Sequence, residues 1–279
     1  MGPYNGPTSS EGGFVRRVLA ITVAAATVLT LAAGCYTADP AAEGPAPAVP
    51  SPSAAAPGAS AGPSAPGASP SAPPTSAPPA RPKKLKPGAK GAVVLALQNR
   101  LTELGYWNGK ADGKFGGTTR QAVYAVQKAA GIGRDGTVGP KTWKALDQGV
   151  RPEAKSTSGK VVEIDLKRQL LLIVDDGRIT QIFNTSTGTN DYYEHEGRTY
   201  LADTPRGKFR VSRQIDGWRD APLCLLWRPK YFNGGIAVHG APSVPPYPAS
   251  HGCARVSVAA MNWMWKNDAL PTKTRVWVY

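Results

Sequence analysis

The sequence predicts two folded parts: a small all-α three-helix bundle over residues 85–150, and a mainly-β, β-sandwich-like domain with one flanking helix over 160–279. Three observations carry this division. Residues 88–148 hold an internal repeat punctuated by Asp-Gly pairs, with apolar residues at helical spacing. After Gly159 the texture changes to short runs of β-branched and aromatic residues bounded by turn signals. Ahead of both stands a Pro/Ala/Ser/Gly stretch whose composition cannot bury a core.

At the N-terminus, Arg16 and Arg17 precede the apolar run "VLAITVAAATVLTL", and "AAGC" ends at Cys35. A charged start, a short apolar run and small residues before a cut site describe an export signal over 1–35. The run falls short of the roughly 20 apolar residues that a membrane-spanning helix needs. The Arg pair also leaves a twin-arginine route open. Residues 36–84 read as a tether: Pro40 to Pro82 hold 14 of the chain's 27 prolines. Extended at about 3.1 Å per residue, such a segment reaches roughly 130 Å.

In the first folded part, Val93, Val94, Leu97, Leu101 and Leu104 mark one helix. The repeat follows as "DGKFGGTTRQAV" and "DGTVGPKTWKAL", offset by 23 residues. Its Asp-Gly pairs suit tight turns, and Thr118 or Thr119 and Thr142 are the expected N-caps of two further helices. A linker over 151–159 leads to the β part. There "QLLLIV", the Asp175-Asp176-Gly177 turn and "RITQIFN" read as a hairpin. "GKFRVS", "GGIAVHG" and "TRVWVY" add strands, and Ser257 is the expected N-cap of a helix over "VAAMNWMWKNDAL", to Leu270.

Net charge is +14, divided as −1 over 1–80, +10 over 81–159 and +5 over 160–279. An exported basic chain argues against nucleic acid and for an anionic polymer or membrane surface as partner. Chemistry concentrates at "SHGCAR", Ser250 to Arg255. Several readings stand side by side. Cys253 is an inert core residue, half of a disulfide with Cys224, one of three zinc ligands with His239 and His251, or a nucleophile with a histidine base. For the last reading, Gly252 would let a substrate carbonyl approach, and the N–H groups of Gly252 and Cys253 are candidate oxyanion donors. Cys224, in "APLCLLW", reads as a buried apolar residue. The Tyr-rich stretch Thr189–Asp203, with His195, reads either as a loop over the cleft or as a solvated hairpin.

Three resemblances add to this reading. "AAGC" resembles a bacterial lipobox, with Ala32 where Leu is commoner; it implies lipidation at Cys35 and a lipid anchor on the outer face of the cytoplasmic membrane. The segment "LQNRLTELGY…DGKFGGTTRQAVYAVQ…DGTVGPKTWKAL" resembles the type-1 peptidoglycan-binding domain over about 60 residues, with Val126 where that family carries Phe. "YFNGGIAVHGAPSVPPYPASHGCARV", with "STG" and "TPRGKF" upstream, resembles the YkuD-type L,D-transpeptidase catalytic domain. That resemblance implies Cys253 as nucleophile, His239 as base and the Gly240 carbonyl as its orienting group. Ser250, His251, Gly252 and Arg255 complete the signature. It further implies acyl transfer between peptidoglycan stem peptides, forming 3→3 cross-links, with no cofactor and no metal. The same acyl-enzyme would serve an L,D-carboxypeptidase or a protein-to-wall attachment. A non-catalytic wall-binding lipoprotein is the rival from another class.

Overall fold

The computed structural model describes residues 81–279. The export signal with Cys35, and residues 36–80 of the tether, lie outside the described residues. The last tether residues are pinned: Arg81 forms an ion pair with Asp147 and lies over the Trp143 ring, whose indole N–H donates to the Pro82 carbonyl.

Three helices come first: α1 (Ala92–Glu103), α2 (Gly117–Ala129) and α3 (Pro140–Asp147). The expected threonine caps are not caps. Gly116 and Gly139 stand at the N-cap positions of α2 and α3, with no side-chain cap bond, and Thr119 and Thr142 fall inside the first turns. Their hydroxyls are claimed by two buried glutamines. Gln98 Nε2 donates to the Thr119 hydroxyl and the Asp112 carboxylate, both at 3.0 Å, while its carbonyl receives the Asp112 and Gly113 N–H groups. Gln127 repeats the arrangement with Thr142, Asp135 and the Gly136 N–H. The sequence repeat is therefore a repeated clamp that closes each Asp-Gly turn onto the following helix.

The β part runs β1 (Val161–Asp165), β2 (Leu170–Asp175), β3 (Arg178–Asn184), β4 (Tyr192–His195), β5 (Arg198–Leu201) and β6 (Gly207–Arg210). It continues β7 (Arg213–Gln214), β8 (Trp218–Ala221), β9 (Cys224–Asn233), β10 (Ile236–Ala241), β11 (Ala254–Ser257), α4 (Val258–Lys266) and β12 (Arg275–Val278). One sheet has the order β3-β2-β1-β12-β6; the other has β11-β10-β9-β7, with β8 paired to β9. Strands β4 and β5 form a separate hairpin. The β2–β3 turn carries positive φ at Asp176 and Gly177, as the sequence pattern requires. Ser257 caps α4, its hydroxyl accepting from the Ala260 N–H at 3.2 Å; the helix stops at Lys266, short of Leu270.

Strand β2 explains why "LLLIV" is apolar without alternation. Leu171 and Ile173 join Val162, Val238, Val256 and Met261 in the core shared by the two sheets and α4. Leu170, Leu172 and Val174 face the other way, into a core with Leu97, Leu101, Tyr106 and Val126 of the helical part. A strand buried on both faces needs apolar side chains at every position. Each of these burials contributes about 1.5–3 kcal/mol. The edge strand β3 is covered as well, with the Trp107 N–H donating to the Ile182 carbonyl at 3.0 Å and the Ile182 N–H to Gly105 at 2.8 Å. Segment 151–159 has no helix or strand, yet it is held: Arg151 donates to the Ile179 carbonyl, and buried Glu163 takes the Lys155 and Ser156 N–H groups.

Candidate active site

The site grows out of the parallel pair β10–β11, whose register sets Val238 beside Ala254 and His239 beside Arg255. One step earlier, Cys253 falls beside Ala237, and the Ala237 N–H lies 3.4 Å from the Cys253 sulfur. Imidazole and thiol line a single cleft of about 380 Å³.

His239 is buried, and its Nδ1 lies 2.9 Å from the Gly240 carbonyl oxygen. A carbonyl only accepts, so Nδ1 carries the hydrogen and Nε2 keeps its lone pair. Nε2 is buried with no hydrogen-bond partner among the described residues. Burial lowers the His239 pKa to about 4; the Gly240 carbonyl opposes this shift and Arg255 reinforces it. The imidazole is thus neutral at neutral pH. Burial pushes the Cys253 thiol up, against the pull of the Ala237 N–H and the Arg255 charge. The reactive pair at rest is thiol and neutral imidazole.

The turn before Cys253 departs from expectation at Gly252 in two ways. Its φ is +140°, and a Cβ there would stand 2.7 Å from the Asp203 carbonyl oxygen. The missing side chain therefore makes room for the protein's own backbone rather than for a substrate carbonyl. The Gly252 N–H also donates to the Ser250 hydroxyl at 3.0 Å, which removes it from the oxyanion donors in this state. Ser250 in turn donates to the Cys253 carbonyl at 2.6 Å, and Thr204 donates to the Gly252 carbonyl at 2.6 Å. Of the two backbone donors considered, the Cys253 N–H stands uncommitted among the described residues.

The remaining signature residues separate by environment. His251 is exposed, its ring edge-on to Tyr193 with centroids 4.6 Å apart. Arg255 pairs through its backbone with Ser186, while its side chain lines the cleft and makes no ion pair or hydrogen bond among the described residues. The Thr189–Asp203 stretch is the β4–β5 hairpin, and Tyr193, His195 and Tyr200 form one wall of the cleft. The β8–β9 turn also lines the cleft, and Cys224 stands on it, partly exposed rather than buried. Cys253 is a thiol, and among the described residues no group of three or more His, Cys, Asp or Glu gathers to hold a metal. Thr204 and Asp203 escaped the sequence reading as site residues, although "TPRGKF" begins on Thr204.

A two-sheet sandwich with a thiol and a neutral imidazole in one cleft carries the groups that acyl transfer uses. Comparison with known proteins makes the class particular. Residues 159–278 match the L,D-transpeptidase catalytic domain model, and residues 90–146 match the model of a putative peptidoglycan binding domain. A crystallised L,D-transpeptidase from Xylanimonas cellulosilytica is 57% identical, covering 72% of this chain and 100% of that one, with a TM-score of 0.69. The chain belongs to the L,D-transpeptidase family of enzymes. It is also 48% identical over 79 residues to the N-acetylmuramoyl-L-alanine amidase CwlL of Bacillus licheniformis, 27% of this chain and 22% of the relative. A spore cortex-lytic enzyme of Bacillus cereus is 40% identical over 73 residues, 26% of this chain and 28% of the relative. The chain thus spans only about a quarter of the length of these curated relatives.

Proposed function

We propose that the protein is a cysteine-dependent L,D-transpeptidase that forms 3→3 peptidoglycan cross-links. The Cys253 sulfur attacks the carbonyl joining the third stem residue to the terminal D-Ala, and the His239 Nε2 takes the thiol proton. The C–N bond breaks, the proton passes to the leaving amine, and D-Ala departs from a thioester. A side-chain amine of a neighbouring stem then displaces the sulfur. The Cys253 N–H serves the oxyanion, and Arg255 serves a substrate carboxylate. The observation that carries this reading is the orphaned Nε2 of His239, its Nδ1 fixed by Gly240, in the same cleft as the Cys253 thiol. Incubation of the soluble chain with stem tetrapeptide, followed by mass spectrometry, tests it. A Cys253 adduct with loss of D-Ala is expected, and its persistence in Cys253→Ala would remove Cys253 from the role. Product analysis with and without an acceptor amine separates cross-linking from the carboxypeptidase and protein-attachment outcomes. Absence of any adduct would favour the non-catalytic binder.

The helical part, as a three-helix peptidoglycan-binding bundle, and a lipid at Cys35 complete the proposal: an enzyme anchored to the outer face of the membrane and working in the wall. A second cleft, of about 680 Å³, favours an additional anionic wall polymer. Lys155, Lys208, Arg210 and Arg275 line it with Trp277 and no carboxylate. Arg210 stands directly across from Arg275 in the β6–β12 ladder, a like-charge pairing that an anion would relieve. Sedimentation with purified wall polymer, comparing wild type with Arg210→Glu, tests this part, and equal binding would remove it.

A further inference from the structure

The loop from His239 to Cys253 has few backbone donors of its own. Residues 242–248 read "PSVPPYP", four prolines in seven, which leaves only three backbone N–H groups in that stretch. A proline carries a carbonyl acceptor but no donor, so the carbonyls of this loop take donors from elsewhere. Three of them take side-chain donors from other segments. The Val244 carbonyl receives Gln121 Nε2 at 3.1 Å and Asn184 Nδ2 at 3.2 Å. The Pro246 carbonyl receives the Arg134 guanidinium at 3.0 Å, and the Tyr247 carbonyl receives the Ser186 hydroxyl at 2.7 Å.

Two of those four donors come from the helical part. Gln121 lies on α2, and its own carbonyl is fixed by Asn184 Nδ2 at 2.5 Å; Arg134 follows five residues after the end of α2. A third residue of that part reaches deeper. Lys128 of α2 is buried, and its Nζ donates to the Gln169 and Thr185 carbonyls at 2.8 and 2.9 Å. Gln169 then grips Thr187 through both ends of its amide. The Thr187 carbonyl receives the Ala249 and Ser250 N–H groups, and Thr185 donates to the Arg255 carbonyl. Both flanks of the nucleophile turn are tied to α2 in this way.

We propose that the helical part is a positioning element of the catalytic site, with Gln121 and Arg134 as positioning residues that set Cys253 against His239. The inference rests on the transpeptidase reading and extends it, since binding of the wall alone would require neither contact. Misplacement of reacting groups by about 1 Å costs up to about a hundredfold in rate. The test measures acylation of the full soluble chain by a carbapenem and by stem tetrapeptide, in wild type, Gln121→Ala/Arg134→Ala and Lys141→Ala, an exposed α3 control. The double variant is expected to lose about tenfold or more of the saturating acylation rate with KM unchanged, while Lys141→Ala matches wild type. Arg134→Lys, which keeps a donor, should recover most of the loss of Arg134→Ala; these two single variants carry the test should the double variant fail to fold. A folded double variant at the wild-type saturating rate, or a loss confined to KM, overturns the proposal. An inert wild type would overturn the transpeptidase reading and this inference together, whereas an active wild type with unaffected variants overturns this one alone.

Discussion

His239 and Cys253 reach the same cleft from two regions built in opposite ways. His239 sits inside β10, paired with Arg255 of β11, while the ladder to β9 resumes on either side of it at Val238 and Gly240. Its position follows from backbone ladders, and Gly240 beside it is packed so tightly that a Cβ would lie 2.8 Å from Trp227 and 3.1 Å from Met261. Cys253 ends a proline-rich loop whose shape depends on side chains arriving from four other segments. The difference teaches where the site tolerates change. A ladder survives the loss of any one side chain, whereas a loop held by borrowed donors loosens with each one removed.

The largest effect should come from the ladder side, because its one exposed duty is chemical. His239→Gln keeps size and polarity but no base, and acylation should fall about 10²- to 10⁴-fold with thermal stability little changed. The acid limb of the wild-type profile bears on the same point. Since the folded His239 titrates near 4, the imidazole stays neutral above that value, and acylation should hold between pH 5 and 7. The linked stability runs the same way: the unfolded chain binds a proton there first, so stability is lost as pH falls from about 6.5 toward 4. An activity limb near 6.5 in a pH–rate series would break the assignment.

Loop-side substitutions should act on position and stability together. Gly252→Ala forces a side chain into positive φ and against the Asp203 carbonyl. Strain of that kind costs about 1–3 kcal/mol, or about 2–4 °C of Tm per kcal/mol at this size, and calorimetry beside acylation rates would show both falling. Ser250→Ala strips a partner from the Gly252 N–H and the Cys253 carbonyl, at about 1–3 kcal/mol. A variant that keeps full acylation would show that the turn holds itself. The smallest effect belongs to His251→Phe, which keeps the ring contact with Tyr193; such pairs contribute only about 0.5–1.5 kcal/mol. A loss of acylation beyond about tenfold would move His251 from the rim into the chemistry.

How much of this was legible depended on whether the signal was local. The β2–β3 hairpin, the Ser257 cap and the Cys-His set could be read because each is written in a few neighbouring residues. Strand β9 went unread although it is the longest, since Pro229 and the positive φ of Arg228 interrupt the pattern of a central strand. The threonine caps were misread because their hydroxyls answer to Gln98 and Gln127, well back along the chain. Gly252 was assigned to the substrate for the same reason: the atom that needs its empty space, the Asp203 carbonyl, lies 49 positions earlier. Residues that respond to distant partners carry no local mark.

The double burial of β2 also bears on how the protein can be handled. Cutting the chain within 151–159, where the composition invites it, would strand Leu170, Leu172, Val174 and Ile182 without their helical partners. The freed catalytic fragment would carry a contiguous greasy stripe beside an uncovered sheet edge, the surface on which strands of separate molecules associate. Soluble preparations should therefore begin ahead of Arg81, so that the helices travel with the sheet they cover.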